Sequence, residues 1–314
     1  MNIFVHIPKT AGTSFRKSLD SFFKESNVAK DYGLFFEETN NDIKKYLHQN
    51  QDPYAAVSKI KEKGFKFIVG HFKASRYAYQ IPVHDFVTIL RDPVQRFYSE
   101  FQHRSNRHFD KFEGTIEDYC AVEKFCNVQS KMLAGAAWPA FGCVGLTESY
   151  NDSVRIINDT LSLDLKYMEV NKRRNDIAKE YSLTTAQIEL IKQVNKADVE
   201  LYKVAKQYFQ ERMSLDDDSL FVRGRLEFIK DNVVSGYAIP PLHNAQAATV
   251  QVLANDHVIG EVIAKEHRKY LSLLGVNRNG YVGFEYDLGD IPAGAKISAR
   301  VKETRQLLAY SISN

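Results

Sequence analysis

Residues 3–16 read IFVHIPKTAGTSFR, an apolar run that turns through small residues into a helix-like segment. Apolar residues then recur at the spacing of one helical face, at Phe15, Leu19, Phe22 and Phe23. In such a unit the loop amides and the helix N-terminus point toward one spot, which favours a phosphate or sulfate group. Lys9 adds a mobile positive charge there, and Thr13 and Ser14 add hydroxyl donors. The alternative is an ordinary turn whose following helix is capped by threonine or serine.

Strand-like and helix-like segments alternate through the first two-thirds of the chain. Strands are predicted at 3–6, 65–69, 86–90 and 141–146. Helical segments are predicted at 14–23, 53–63, from 93 onward and 184–213. The last of these opens with Thr184 and Gln187, which have the spacing of a capping box. The alternation predicts an α/β domain with a parallel sheet and helices on both faces.

The pattern changes after a polar, acidic stretch at 214–219. Short alternating runs follow, separated by Gly, Asn, Asp and Pro, at 225–230, 233–239, 249–254, 258–264, 284–288, 297–301 and 307–312. Such closely spaced short strands are typical of a small all-β sandwich. We therefore expect a first domain at 1–213, a linker at 214–224 and a sandwich-like domain at 225–314.

Composition narrows the classes of function. The chain has 314 residues, a net charge of +3, 44% hydrophobic residues and 26% charged residues, as in a soluble globular protein. The excess of positively charged residues is too small to indicate a dedicated nucleic-acid binder. An anionic ligand therefore has to be held by a local site and not by the overall charge of the protein. The three cysteines lack zinc-ligand spacing, which favours reduced thiols and no metal. We see no signal peptide or membrane span and expect a cytoplasmic protein.

A second motif occurs at residues 88–99, which read TILRDPVQRFYS. Arg91 follows the predicted strand, and its fixed donors suit a phosphate group. Ser99 lies about two turns into the following helix. Asp92 before Pro93 is placed as the helix N-cap, although it could imitate a Mg²⁺ ligand. The alternative reading is a surface Arg–Asp pair with a solvated serine.

A histidine follows a third apolar run, since residues 67–72 read FIVGHF. His71 at this strand end can titrate near neutrality and act as a general base, or it can be a hydrogen-bonded structural residue. Because the carboxyl ends of parallel strands share one edge of a sheet, Lys9, Arg91 and His71 are expected to meet there. A cationic cluster at 103–108 is a further candidate for holding an acidic acceptor, with a solvated helix end as the alternative.

The two phosphate motifs together resemble those of sulfotransferases. Residues 8–15, PKTAGTSF, look like the 5′-phosphosulfate loop, and residues 91–99, RDPVQRFYS, look like the 3′-phosphate motif. The resemblance spans roughly residues 2–210 and is greatest to the branch containing heparan sulfate 2-O-sulfotransferases and bacterial relatives. Further segments that fit this branch are Gly70-His71, 127–135, 144–148 and 198–202.

The resemblance implies a P-loop-like, three-layer α/β fold that uses 3′-phosphoadenosine 5′-phosphosulfate (PAPS) without a metal. It assigns the 5′-phosphosulfate to the loop residues Lys9, Thr10, Ala11, Gly12, Thr13 and Ser14. It assigns the 3′-phosphate to Arg91 and Ser99, and it makes His71 the catalytic base. A basic loop at 171–174, with Arg174, is expected to close over the nucleotide. Lys9 is expected to stabilise the bridging oxygen when the bond to sulfur breaks.

The function expected from this resemblance is transfer of a sulfuryl group from PAPS to a hydroxyl, with a carbohydrate as the acceptor. One alternative is a small-molecule kinase, although Lys9 precedes Gly12 and so departs from the nucleotide-triphosphate P-loop. A second alternative is a non-catalytic glycan-binding protein on the same fold. Segments 234–238 and 280–284 resemble accessory β-modules of bacterial glycosyltransferases and sulfotransferases. We expect a departure from the Golgi enzymes, since no segment of the sequence resembles their membrane anchor.

Overall fold

The computed structural model describes residues 1–24, 27–107, 111–166, 180–290 and 294–310. The chain divides into two compact units. The first unit comprises residues 1–81, 85–136 and 142–202, and the second comprises residues 82–84, 137–141 and those from 203 onward. The domain limits expected at 213 and 225 stay a prediction. No helix among the described residues is long and apolar enough to cross a membrane.

A five-stranded parallel sheet forms the centre of the first unit. Its strands are β1 (Asn2–Val5), β2 (Val28–Asp31), β3 (Phe67–Gly70), β4 (Phe86–Leu90) and β5 (Cys143–Leu146). Their spatial order is β2-β3-β1-β4-β5. The α/β class and the parallel sheet are thus confirmed. Strand β2 was absent from the expected set because its sequence, VAKD, ends in two charged residues.

Helices connect these strands and continue toward the second unit. Their bounds are α1 (Gly12–Phe23), α2 (Pro53–Glu62), α3 (Pro93–Ser105), α4 (Ile116–Cys120), α5 (Val128–Leu133), α6 (Tyr150–Leu161), α7 (Thr185–Val194) and α8 (Lys196–Met213). Asp92 caps α3 by accepting from the Gln95 amide at 2.9 Å, and Thr184 and Gln187 form the expected capping box. The helical region predicted at 184–213 is two helices, interrupted at Asn195.

The second unit contains two sheets that are antiparallel except for one short parallel pair. Its strands are β6 (Arg223–Lys230), β7 (Val233–Ile239), β8 (Thr249–Ala254), β9 (His257–Ile263), β10 (Glu266–His267), β11 (Tyr281–Asp287), β12 (Ile297–Val301) and β13 (Ala309–Tyr310). The orders are β10-β11-β7-β6-β13 and β12-β8-β9, and helix α9 (Lys269–Leu273) lies between β10 and β11 in sequence. Leu226 and Phe284 of one sheet share an apolar core with Val250 and Ala299 of the other.

The strand order of the first unit determines where a ligand can bind. From β1 the chain continues to β2 on one side of the sheet, whereas from β4 it continues to β5 on the other side. Neighbouring strands whose connections leave in opposite directions open a crevice at their carboxyl ends. The crevice therefore lies after Val5 and Leu90, beside the end of β3.

Candidate functional site

The loop after β1 has a strained backbone. Lys9 (φ 70°) and Ala11 (φ 62°) both adopt the left-handed conformation, which costs a non-glycine residue roughly 1–2 kcal/mol. The buried Thr10 hydroxyl holds the turn by donating to the Ile7 carbonyl at 2.9 Å. Within the described residues, no side chain caps the N-terminus of α1. A loop that leads into a helix N-terminus without a side-chain cap suits an anion, and backbone strain is characteristic of ligand clamps.

The hydroxyl residues of the loop differ in exposure. Thr13 is exposed at the start of α1, whereas Thr10 and Ser14 are buried. The Thr10 hydroxyl proton is already used within the loop, so Thr13 and the main-chain amides are better placed to meet a ligand. The structure therefore brings the loop residues expected from the sequence together at the carboxyl end of β1.

Gly12 is required by a close approach to His6. A Cβ added at Gly12 would lie 2.1 Å from Cδ2 of the buried His6 ring, which is far inside van der Waals contact. We expect Gly12→Ala to lower the free energy of unfolding by about 1–3 kcal/mol, as overpacking does elsewhere. Denaturant unfolding measures this, with the exposed Thr13→Ala as the matched control. Equal stability of the two variants would contradict the contact.

His71 lies directly after β3 and is oriented by the backbone of β1. Its Nδ1 lies 2.5 Å from the His6 carbonyl oxygen, and because a carbonyl can only accept, Nδ1 carries the proton. In the neutral ring Nε2 then holds the free lone pair. His6 and Tyr32 pack against the imidazole, with ring centroids 4.5 and 4.8 Å away. The tautomer and the packing are those that a general base needs.

Burial also sets the charge state of His71. Although part of the residue remains open to solvent, its packed surroundings lower the pKa, and the hydrogen bond to His6 and the carboxylate of Glu100 only partly oppose this effect. The ring is therefore neutral at pH 7, and Nε2 is ready to accept a proton.

His6 lies behind His71 and is neutral for a similar reason. Burial, then the neighbouring His71 and Arg16, hold the pKa of His6 well below its usual range. Its Nδ1 lies 3.2 Å from the Tyr32 hydroxyl oxygen. His6 was not among the candidate site residues predicted from the sequence, because its position at the end of an apolar run did not indicate a contact with His71.

The lowered pKa values of His6 and His71 make the protein sensitive to mild acid. Below about pH 6.5 these two histidines bind protons in the unfolded chain but stay largely neutral in the folded chain. The free energy of unfolding therefore falls as the pH falls. We expect His6→Asn to flatten this dependence between about pH 7.5 and 5.5. Denaturant unfolding across this range provides the measurement. If the free energy of unfolding of the wild type depended on pH no more than that of the variant, His6 would not be buried in its neutral form.

Arg91 is buried at the end of β4 and reaches the first loop. Its Nη1 donates to the Lys9 carbonyl at 3.3 Å, so the two expected phosphate motifs are in direct contact. The Tyr181 ring lies 5.9 Å from the Arg91 guanidinium carbon, and its hydroxyl lies 3.3 Å from Oγ of the buried Ser99. Arg91 and Ser99 are thus brought to the same place, as expected, and Tyr181 joins them.

Tyr181 is a site residue that the sequence did not reveal. It lies outside any strand or helix, and its backbone is held by Gln95 of α3 through hydrogen bonds of 2.6 and 3.3 Å. No motif or periodicity marks such a residue, because its place depends on a contact between distant segments. Arg174 and the basic loop at 171–174 lie outside the described residues.

A cavity of about 560 Å³ opens beside His71. Its other lining residues are Leu47, Pro53, Phe72, Lys73, Ser75, Arg76 and Met132. Arg76 pairs with the buried Asp31 at 2.8 Å, and this carboxylate also contacts His48 and Tyr77 at 2.8 Å. Burial alone raises the pKa of Asp31, but Arg76 and these hydrogen bonds outweigh it and leave the pKa lowered. His71 is thus part of the wall of a cavity whose volume is in the range of small-molecule sites.

Of the cationic residues expected at 103–108, His103 lies near enough to Lys9 for their charges to interact. Burial lowers the pKa of His103, and the charges of Lys9 and Arg107 lower it further. The Nε2 atom of His103 lies 3.2 Å from an Arg107 nitrogen. His108, which belonged to the expected cluster, lies outside the described residues. Among the described residues, no group of three or more His, Cys, Asp or Glu side chains could hold a metal ion.

The sequence and the structure were compared with those of known proteins. The chain matches no family model, no curated protein and no solved structure.

Proposed function

We propose that this chain transfers a sulfuryl group from PAPS to a hydroxyl group of a carbohydrate. The observation that carries the proposal is the convergence of the Lys9 loop, His71 and Arg91 at the carboxyl ends of the adjacent strands β3, β1 and β4. An anion-binding loop, a second cationic residue and a neutral base in one crevice suit a donor with two phosphate groups. On this proposal the first unit is a P-loop-like fold.

The donor is held by its two ends. The loop amides, Lys9 and Thr13 bind the 5′-phosphosulfate, because α1 presents its N-terminus there. Arg91 and Ser99 bind the 3′-phosphate, and the nearby Tyr181 hydroxyl adds a polar group to this subsite. The direct contact between Arg91 and the Lys9 carbonyl supports a single ligand that spans both subsites.

The transfer step needs a base and a stabilised leaving group. The acceptor hydroxyl enters from the cavity beside His71 and gives its proton to Nε2. The acceptor oxygen forms a bond to sulfur while the bond between sulfur and the bridging phosphate oxygen breaks. Lys9 and the loop amides stabilise the negative charge that develops on that oxygen. The products are a sulfate ester, adenosine 3′,5′-bisphosphate and a proton on His71.

A kinase reaction is less compatible with the same residues. ATP chemistry calls for a Mg²⁺ ligand near the phosphates. The nearest candidate from the sequence, Asp92, instead uses its carboxylate to cap α3. The cap supports PAPS over ATP as the donor, and the two donors are easily separated by experiment.

The test is a transfer assay with the full chain. Radiolabelled PAPS and a panel of neutral and acidic polysaccharides are incubated without added metal, and label in the polymer fraction is measured. Parallel reactions contain γ-labelled ATP with Mg²⁺. Label from PAPS that depends on both enzyme and polysaccharide supports the proposal. Transfer from ATP alone, or binding of a polysaccharide without transfer from either donor, overturns it.

A further inference from the structure

The side chain of Gln129 holds both backbone groups of Arg91. Gln129 is fully buried near the start of α5. Its Oε1 accepts from the Arg91 amide at 3.0 Å, and its Nε2 donates to the Arg91 carbonyl at 2.9 Å. One amide side chain therefore replaces the hydrogen bonds that a neighbouring strand would supply, at the point where β4 has ended.

Gln129 is itself held by a second buried residue. Asp198 lies in the first turn of α8. Its carboxylate accepts hydrogen bonds from the main-chain amide of Gln129 at 3.1 Å and from the main-chain amide of Ser130 at 2.7 Å. The Asp198 amide donates in turn to the Asn127 side chain at 3.2 Å. Since Asp198 is fully buried, water does not compete for these bonds.

The residues on either side of Arg91 are held in the same way. Thr147 donates from its hydroxyl to the Leu90 carbonyl at 2.9 Å. Glu148 accepts from the Asp92 amide at 2.9 Å, and the Tyr202 hydroxyl donates to the other Glu148 oxygen at 2.7 Å. Three side chains from two separate segments thus hold the backbone at Leu90, Arg91 and Asp92, and Tyr202 holds one of these side chains in turn.

We infer that Gln129 is a positioning residue that aims the Arg91 guanidinium at the 3′-phosphate of the donor. The inference rests on the proposed function. The guanidinium group lies at the far end of a long side chain. A small tilt of the backbone at Arg91 therefore displaces the guanidinium from its position. Sites with a loosely held supporting layer lose affinity even when the contact residue is present. Gln129 acts only through Arg91 and is not assigned a contact with the ligand.

The test compares Gln129→Met with a matched control by calorimetry on the full chain. Gln306 of the second unit is nearly fully buried and makes the same pair of bonds, to the amide and carbonyl of Val222 at 3.0 and 2.7 Å. We expect Gln129→Met to raise the Kd for adenosine 3′,5′-bisphosphate by about tenfold and that for adenosine 5′-phosphate by less than about twofold. Gln306→Met is expected to change neither Kd.

Gln129→Glu keeps the test decisive if the methionine variant does not fold. A protonated carboxyl group can accept from the Arg91 amide and donate to its carbonyl, whereas the ionised group can only accept. We therefore expect the bisphosphate Kd of this variant, divided by the wild-type Kd at each pH, to rise with pH. The corresponding ratio for adenosine 5′-phosphate is expected to stay flat.

The outcomes separate this inference from the function on which it rests. A wild-type chain without preference for the bisphosphate overturns the proposed function and the role of Gln129 with it. A wild-type preference that persists in folded Gln129→Met, or a Gln129→Glu ratio that is independent of pH, overturns the positioning role alone. Equal losses for both nucleotides in folded Gln129→Met also overturn it, because general damage would not single out the 3′-phosphate.

Discussion

His71→Ala is expected to lower kcat by about 10²–10⁴-fold, the usual cost of losing a general base. The expectation follows from the Nδ1 hydrogen bond to the His6 carbonyl, which leaves the lone pair on Nε2 in the neutral ring. Affinity for adenosine 3′,5′-bisphosphate should stay nearly unchanged, because the phosphates are assigned to other residues. Steady-state kinetics with PAPS and calorimetry with the bisphosphate measure the two quantities.

The control for His71→Ala is another histidine with the same backbone contact. The Nδ1 atom of His257, in β9, lies 2.8 Å from the Asn255 carbonyl oxygen, and His257→Ala should leave kcat unchanged. The pH profile adds a second readout. Wild-type kcat/KM should rise with pH as Nε2 loses its proton, with a midpoint below about 6.5 because burial lowers the pKa of His71. Near-normal turnover by the alanine variant would remove His71 from the mechanism.

The parallel sheet could be predicted because most of its strands are plain in the sequence. Apart from the partly buried Asn2, strands β1, β3 and β4 are runs of buried, mostly β-branched or aromatic residues, and each strand is followed by a polar residue. Strand β2 is different, because Lys30 and Asp31 are charged residues that are buried with charged partners, among them Asp20 and Arg76. Burial that depends on a distant partner leaves no local pattern, so β2 and the adjoining Tyr32 could not be identified.

The same distinction applies to the candidate site. Lys9, His71 and Arg91 could be placed together because each follows an apolar strand, and parallel strands bring their carboxyl ends to one edge. In the structure Arg91 contacts the Lys9 carbonyl, and His71 contacts the His6 carbonyl at the end of the same strand, while their assigned roles stay a prediction. Tyr181 and the role of Gln129 could not be predicted, since both depend on contacts between segments far apart in sequence.

Most strands of the second unit were also predictable, although β10 was not among them and the arrangement of the strands could not be predicted. Alternating residues and turn signals mark the strands one by one, and the predicted segment 233–239 matches β7 residue for residue. The division into two sheets depends on pairings such as β11 with β7 and β12 with β8. These pairings join distant stretches, and no short-range signal selects them.

Arg91→Ala is expected to weaken the binding of adenosine 3′,5′-bisphosphate far more than the binding of adenosine 5′-phosphate. Each charged hydrogen bond of this kind contributes on the order of 1.5–3 kcal/mol, and loss of one raises the Kd by about tenfold or more. The nucleotide without the 3′-group should lose little affinity, since the hydrogen bond from Arg91 Nη1 to the Lys9 carbonyl is long, at 3.3 Å. Calorimetry with the two nucleotides measures the difference.

Two further variants show whether charge or geometry is responsible. Arg91→Lys keeps the positive charge but loses the planar fork of donors, so its bisphosphate Kd should lie between those of wild type and Arg91→Ala. Arg155, which pairs with Asp159 on α6 and is half exposed, supplies the control, and Arg155→Ala should change neither Kd. If Arg91→Ala weakens both nucleotides equally, the residue supports the loop instead of the 3′-phosphate, and Ser99 with Tyr181 would have to hold that group without it.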